Sequence, residues 1–160
     1  MIDLTSIHEL RKAGRHEQAL RELTRLAANF PTDPVIQYEA ASVNDFLGQE
    51  REAVEYYLAA INHGLSGDDL RGAYLGLGST YRALGQYTES RQTLLDGIKH
   101  FPEAVELRVF LSMTAYNLAA YQDAVASLLL ILADTSVDPD IKRYEQAIRL
   151  YAQDLDRRWE

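Results

Sequence analysis

The 160-residue sequence contains no cysteine, which excludes a disulfide framework, a thiol nucleophile and a thiolate metal site. Its longest nearly apolar run, residues 124–133, is far shorter than the roughly 20 residues that a membrane span requires. The first residues lack the apolar region and cleavage site of a signal peptide. The four histidines have no metal-ligand spacing. We therefore expect a cytoplasmic protein with no membrane association, metal or cofactor.

An excess of basic residues is also missing. The net charge is −8, and residues 33–134 alone carry fourteen acidic and only six basic side chains. Such a body repels phosphate backbones, and no basic stripe offsets the repulsion, so the charge argues against a nucleic-acid partner. A basic or an apolar partner remains open.

No stretch has the clean alternation that is typical of a β-strand, whereas helix signals are frequent. Asp33-Pro34 and Asp138-Pro139 each read as an N-cap aspartate followed by proline at the first helical position. Ser66 and Asp69 have the spacing of a capping box. Apolar residues between these signals recur at three- and four-residue spacing. The sequence predicts an all-α protein, and its length suits a single domain over residues 1–160.

Four segments of the chain align with one another: AGRHEQAL, LGQEREAV, LGQYTESR and LAAYQDAV. Their small residues Gly14, Gly48, Gly85 and Ala119 lie 34, 37 and 34 residues apart. A second column, five residues later in each copy, contains Ala19, Ala53, Ser90 and Ala124. Two columns that keep the same spacing indicate a repeat array.

The period and two helices per unit resemble the tetratricopeptide repeat (TPR). The third copy matches best, with Tyr74-x2-Leu77-Gly78-x2-Tyr81 followed by Gly85-x-Tyr87-x2-Ser90-x3-Leu94. Gln37 and Arg108 replace its first aromatic in copies two and four. The resemblance implies a right-handed superhelical array of about four helix-turn-helix repeats, at about 3–33, 34–67, 68–103 and 104–134. A long capping helix over 138–160 would close the array.

The stretch Gly76-Leu77-Gly78-Ser79-Thr80 superficially resembles a phosphate-binding loop. A dinucleotide fingerprint needs a third glycine where Tyr81 stands, and a P-loop needs a lysine that does not follow Gly78. We instead expect Gly78 to lie at a close contact between helices and Gly76 to be an additional helical glycine. No catalytic constellation is visible, so we predict that the protein is not an enzyme.

The resemblance also implies a concave groove lined by the first helix of each repeat. Chaperone-binding members hold a terminal carboxylate with a clamp of lysine, arginine and asparagine, and the corresponding columns of this sequence contain other residues, such as Leu4, His8, Gly72 and Gly76 or, in the next frame, Tyr38, Ser42, Glu106 and Phe110. Exposed aromatic and methionine side chains there would suit an apolar or amphipathic peptide. The groove residues implied are Tyr38, Ser42, Asp45, Phe46, Leu75, Ser79, Arg82, Ala83, Val109, Met113, Tyr116 and Asn117.

The expected function is a protein-protein interaction scaffold that binds a peptide or helix in this groove. The alternative is a holding chaperone, similar to the small acidic TPR chaperones of bacterial secretion. The segment AVASLLLILAD is apolar on all sides, and its outer stripe predicts a homodimer. The C-terminal segment resembles that of a small bacterial family of stand-alone TPR proteins that are thought to dimerise. The predicted interface comprises Ala126, Leu129, Leu130, Ala133 and Trp159.

Overall fold

The computed structural model describes residues 3–158, and every regular element within that range is an α-helix. The all-α prediction is confirmed. The helices are, in chain order, α1 (Thr5–Lys12), α2 (His16–Asn29), α3 (Pro34–Phe46), α4 (Glu50–Asn62), α5 (Gly67–Ala83), α6 (Tyr87–His100), α7 (Val105–Asn117), α8 (Tyr121–Thr135), α9 (Pro139–Arg143) and α10 (Glu145–Ala152).

Local capping accounts for several helix starts. The Asp33 carboxylate accepts hydrogen bonds from the amides of Val35 (3.0 Å) and Ile36 (3.2 Å), with Pro34 in the first turn. Asp138 caps α9 in the same way. Both carboxylates satisfy amides that have no partner within the helix, as the sequence predicts. Ser66 differs, because α5 begins directly after it without a capping bond from its side chain.

The first aligned column forms the turn within each repeat. Gly14, Gly48 and Gly85 have φ values of 71°, 72° and 75°, in the left-handed region that follows many helix ends. Ala119 occupies the same backbone conformation, with φ of 61°, even though its Cβ makes this unfavourable. The four aligned positions are therefore one structural position, and three of the four copies fill it with glycine.

The chain divides between Gln86 and Tyr87 into two compact units. In the first unit, which contains α1 to α5, consecutive helices pack together and α3 also contacts α5. Its largest fully buried side chains are Ile7, Leu23, Ile36 and Val43. Gln37, which replaces a consensus aromatic, is also buried. Its side-chain amide donates to the Pro31 carbonyl oxygen at 3.1 Å, and this hydrogen bond offsets the cost of burying a polar group.

The second unit contains α6 to α10. Helix α7 packs against both α6 and α8, and α10 packs against α8. Leu94 and Leu107 are fully buried in its core. The Ser90 and Thr114 hydroxyls, also buried, lie 2.9 Å apart and share a hydrogen bond. Ser90 therefore fills a small-residue column without leaving its hydroxyl unsatisfied.

The sequence predicts one long helix over 138–160, but the C-terminal segment contains two shorter helices. Helix α9 ends at Arg143, Tyr144 interrupts the segment, and α10 ends at Ala152. An ion pair connects α10 to α8, because the Arg149 guanidinium bonds Asp134 at 2.7 Å, and the same guanidinium bonds Glu145 within α10 at 2.8 Å. These bonds lower the pKa of the Asp134 and Glu145 carboxyls. No helix within residues 3–158 has the length and apolar character needed to cross a bilayer.

Candidate functional site

One face of α3 carries Tyr38, Ser42 and Asp45, which stand at i, i+4 and i+7 and therefore share one side of the helix. Helix α5 approaches this region closely at two glycines. A Cβ atom at Gly72 would overlap the Tyr38 hydroxyl, and one at Gly76 would overlap the hydroxyl and ring of Tyr57 from α4. Residues 72 and 76 thus leave room for two tyrosines.

This contact differs from the role expected for Gly76, because it is not merely an additional helical glycine. Tyr57, whose ring occupies the space beside Gly76, is only 3% exposed and cannot easily move away. Gly78, which we expect at a close helix contact, is buried. Sequence reasoning missed the role of Gly76 because its neighbour belongs to another helix, nineteen residues earlier in the chain.

Asp45 lies at the meeting point of three helices. The Tyr57 hydroxyl of α4 donates to its carboxylate at 3.4 Å. The Thr80 hydroxyl of α5 donates to the Gly76 carbonyl oxygen at 2.8 Å and also lies against the Asp45 carboxylate. Burial raises the pKa of the Asp45 carboxyl, and the Thr80 and Tyr57 hydrogen bonds oppose this shift. The partly buried carboxylate therefore lies beside two hydroxyls, and the Tyr57 hydroxyl donates to it at long range.

The other carboxylate on α3, Glu39, has a cationic partner in Arg11 and a histidine neighbour. Arg11 of α1 forms an ion pair with Glu39 and donates to the Ser42 hydroxyl at 2.9 Å. His8 Nε2 lies 3.0 Å from a Glu39 carboxylate oxygen. In contrast, no lysine or arginine between residues 3 and 158 lies within ion-pair distance of Asp45. Of these two carboxylates, only Glu39 has a cationic side chain within ion-pair distance.

The remaining expected groove residues of the first unit differ in exposure. Phe46, at the end of α3, is 67% exposed, and its ring centroid lies 4.0 Å from that of His16. Tyr38 and Ser42 are partly buried, and Ala83 is exposed. On α5 three further residues are partly buried: Leu75, Ser79 and Arg82.

In the second unit the expected groove residues lie on α7. Tyr116 is 63% exposed and Met113 is also exposed, whereas Val109 and Asn117 are partly buried. The Tyr116 ring meets Tyr121 edge to face, with centroids 5.2 Å apart. This geometry is favourable for an aromatic pair and leaves the outer surface of Tyr116 accessible.

Helix α8 exposes a different apolar stripe from the one that we expect. Ala133 is 1% exposed, and Ala126, Leu129 and Leu130 are partly buried. The accessible stripe instead consists of Tyr121, Val125 (46% exposed), Leu128 (43%) and Leu132 (40%). Helices α7 and α10 both pack against α8, so part of its apolar surface is already covered. Trp159, the last predicted interface residue, lies outside the described residues.

Sequence reasoning also missed a cleft in the first unit, because its residues are distant in the chain. The cleft has a volume of about 670 Å³ and combines acidic and apolar side chains. Two of its carboxylates, Asp3 and Asp33, already accept hydrogen bonds from backbone amides near helix starts. Within residues 3–158 no cluster of three or more acidic, histidine or cysteine side chains has the arrangement of a metal site. The cleft is lined by Asp3, Leu4, Thr5, His8, Asp33, Val35, Ile36 and Asp69.

Pairs of helices recur along this chain, each with a left-handed residue at the turn and a small buried residue five positions later. These recurring features define a helical-repeat protein. The family model of the tetratricopeptide repeat matches residues 34–155, so the chain belongs to the TPR proteins. The crystal structure of YrrB, a TPR protein with an unusual peptide-binding site, is similar to this chain with a TM-score of 0.71. Identity is 15%, and the similarity covers 94% of this chain and 76% of YrrB. No curated protein matches the sequence.

Proposed function

We propose that this chain is a non-catalytic cytoplasmic scaffold that binds a peptide or helix of a protein partner. The observation that carries the proposal is the exposure of Phe46 on α3 and Tyr116 on α7, both first helices of repeats. Large exposed aromatic side chains on rigid elements are typical of binding surfaces. The description of YrrB as a peptide-binding TPR protein supports the same class of partner. The first-helix face of the first unit comprises Tyr38, Ser42, Asp45, Phe46, Leu75, Ser79 and Arg82, and that of the second unit comprises Val109, Met113, Tyr116 and Asn117.

A displayed library of random peptides tests this proposal. The wild-type chain should enrich a related set of peptides. The double variant Phe46→Ala/Tyr116→Ala should bind a synthetic copy of an enriched peptide at least about tenfold more weakly, because the first-helix face of each unit loses its exposed aromatic anchor. Fluorescence anisotropy measures the affinity. The melting temperature should hardly change, because exposed side chains contribute little to the core.

The matched control is Phe30→Ala. Phe30 is also an exposed phenylalanine, but it follows α2 and is not on a first helix. This variant should bind the peptide with wild-type affinity. The proposal is wrong if the wild type enriches no related peptides, or if Phe30→Ala weakens binding as much as the double variant does.

We further propose that the chain forms a homodimer through α8. Supporting this, the accessible α8 stripe recurs at i, i+4, i+7 and i+11 and contains only apolar and aromatic side chains. Repeat arrays need polar outer faces to stay soluble, and an isologous contact would cover the same stripe on both copies. The interface residues predicted from the sequence lie on the other side of α8, namely Ala126, Leu129, Leu130 and Ala133. In this proposal they would mainly pack α8 against its neighbouring helices.

Light scattering checks the dimer. The wild type should have about twice the 18.1 kDa chain mass at tens of micromolar, and Leu128→Glu should have the mass of one chain. Burying a charge in an apolar interface without a partner is unfavourable. Leu95→Glu is the control, because Leu95 of α6 has similar exposure but lies outside the stripe. A monomeric wild type would rule out the dimer, as would a dimer that persists in folded Leu128→Glu.

The acidic holding chaperone stays as the second candidate. It is favoured by the number of exposed apolar side chains in the second unit, including Met113, Leu118, Val125 and Leu128. Apolar surface of this kind can cover aggregation-prone segments of a client protein. A chaperone would suppress the aggregation of an unfolding client over many sequences, whereas a scaffold would bind one class of peptide saturably.

A further inference from the structure

Asp45 lies among groups that accept or donate hydrogen bonds but do not neutralise it. Its carboxylate receives the Tyr57 hydroxyl at 3.4 Å and faces the Thr80 hydroxyl. Its acidic neighbour Glu50 makes the local potential more negative. A partly buried carboxylate without a cation is energetically unfavourable, since burial removes part of its hydration. A positively charged ligand group would relieve this cost.

The surroundings of Asp45 also fit a long cationic side chain. Ser42 lies one turn before Asp45 on the same face, and Tyr38 lies one turn before Ser42. The Tyr38 and Tyr57 rings are neighbours, with centroids 6.3 Å apart. Because Tyr57 is buried, the partly exposed Tyr38 supplies the aromatic surface, which can contact both the aliphatic part and the charge of a lysine or arginine. The nearby Arg11 does not compete, because Glu39 and Ser42 already bind its guanidinium.

We propose that Asp45 is a specificity-determining residue that binds a lysine or arginine side chain of the peptide partner. The inference rests on the proposed function, since it names the ligand chemistry of the same first-helix face. The overall charge of −8 favours a basic partner as well, because long-range attraction increases the rate of encounter. The Tyr57 hydroxyl already donates to the carboxylate before the ligand arrives, which reduces the ordering cost of binding.

The experiment uses the same displayed library of random peptides, selected on the wild-type chain and on Asp45→Asn. Peptides from the wild type should share a lysine or arginine at one position, and those from Asp45→Asn should not. A synthetic wild-type-selected peptide should bind Asp45→Asn at least about tenfold more weakly. Replacing its shared basic residue with norleucine should weaken binding to the wild type by a similar factor. On Asp45→Asn the same replacement should have little further effect, because the two groups form one interaction.

Glu55→Gln is the matched control, because it removes one negative charge from an exposed position on α4. It should keep the wild-type preference and affinity at physiological salt. We expect Asp45→Asn to stay folded, because burial disfavours the charge that it removes. If it does not fold, the norleucine peptide on the wild type can still overturn the role of Asp45, since equal binding would show that no basic residue is recognised.

The possible failures are distinguishable. If the wild type enriches no peptides, the proposed function fails together with the inference. If it enriches peptides without a shared basic residue, or if the norleucine peptide binds as tightly as the original, only the role of Asp45 is overturned. Equal weakening by Glu55→Gln would also overturn it, since general electrostatic attraction would then explain the preference.

Discussion

Leu94→Ala should lower the free energy of unfolding by about 3 kcal/mol, because it leaves a cavity in a close-packed core. Leu94 of α6 is fully buried, whereas its neighbour Leu95 is 39% exposed. Leu95→Ala makes the same chemical change on the same helix and should cost less than about 1 kcal/mol, because solvent already contacts that side chain. Urea unfolding of both variants, followed by circular dichroism at 222 nm, gives the two values.

Equal costs for the two leucine variants would contradict the orientation of α6. A reversed order would mean that α6 is rotated by about 100°, the angle between consecutive residues in an α-helix. The inward side of α6 would then no longer contain the second aligned column, in which Ser90 is buried. The pair therefore tests the repeat frame in the second unit.

The second large effect concerns the two glycines of α5. Gly76→Ala should lower the free energy of unfolding by about 2 kcal/mol, because its Cβ overlaps the buried Tyr57 ring. Gly72→Ala introduces the same methyl group one turn earlier, where it meets the end of the partly exposed Tyr38. Tyr38 can move, and alanine favours the helix by about 1 kcal/mol over glycine. Gly72→Ala should therefore be neutral or slightly stabilising.

A double-mutant cycle identifies the cause. Tyr57→Leu keeps an apolar side chain but removes the ring and hydroxyl atoms that approach Gly76. In that background Gly76→Ala should become stabilising, by up to about 1 kcal/mol, because only the helix preference of alanine remains. If Gly76→Ala is equally destabilising with and without the tyrosine, the contact with Tyr57 does not explain the need for glycine.

The sequence alone predicted most of the architecture, since its signals are local. Asp33-Pro34 and Asp138-Pro139 mark helix starts because each aspartate satisfies amides only two or three residues away. Gly14, Gly48 and Gly85 mark repeat turns because a left-handed conformation favours glycine at a single position. The fixed spacing of these signals indicates a repeat array without knowledge of any distant contact.

The C-terminal segment shows where local signals are insufficient. Its apolar spacing predicts one long helix from residue 138, yet the helix is interrupted at Tyr144 and α10 ends at Ala152. Packing of α10 on α8, with Arg149 bound to Asp134, involves residues fifteen positions apart. The spacing of apolar residues indicates that a segment favours a helix, whereas tertiary contacts determine where that helix ends.

The candidate site depended still more on tertiary structure. The columns of the repeat indicated that Asp45 and Phe46 lie on a first helix. They did not indicate that Asp45 receives the Tyr57 hydroxyl, or that no lysine or arginine of residues 3–158 forms an ion pair with it. Periodicity could not determine which side of α8 is exposed, because apolar residues lie on all sides of its segment 124–133. Packing by α7 and α10 broke that symmetry and left Val125, Leu128 and Leu132 accessible. The sequence alone therefore determined where the repeats begin and turn, since those signals act within a few residues. Only the tertiary structure decided which side chains remain available to a partner, because exposure depends on helices distant in the chain.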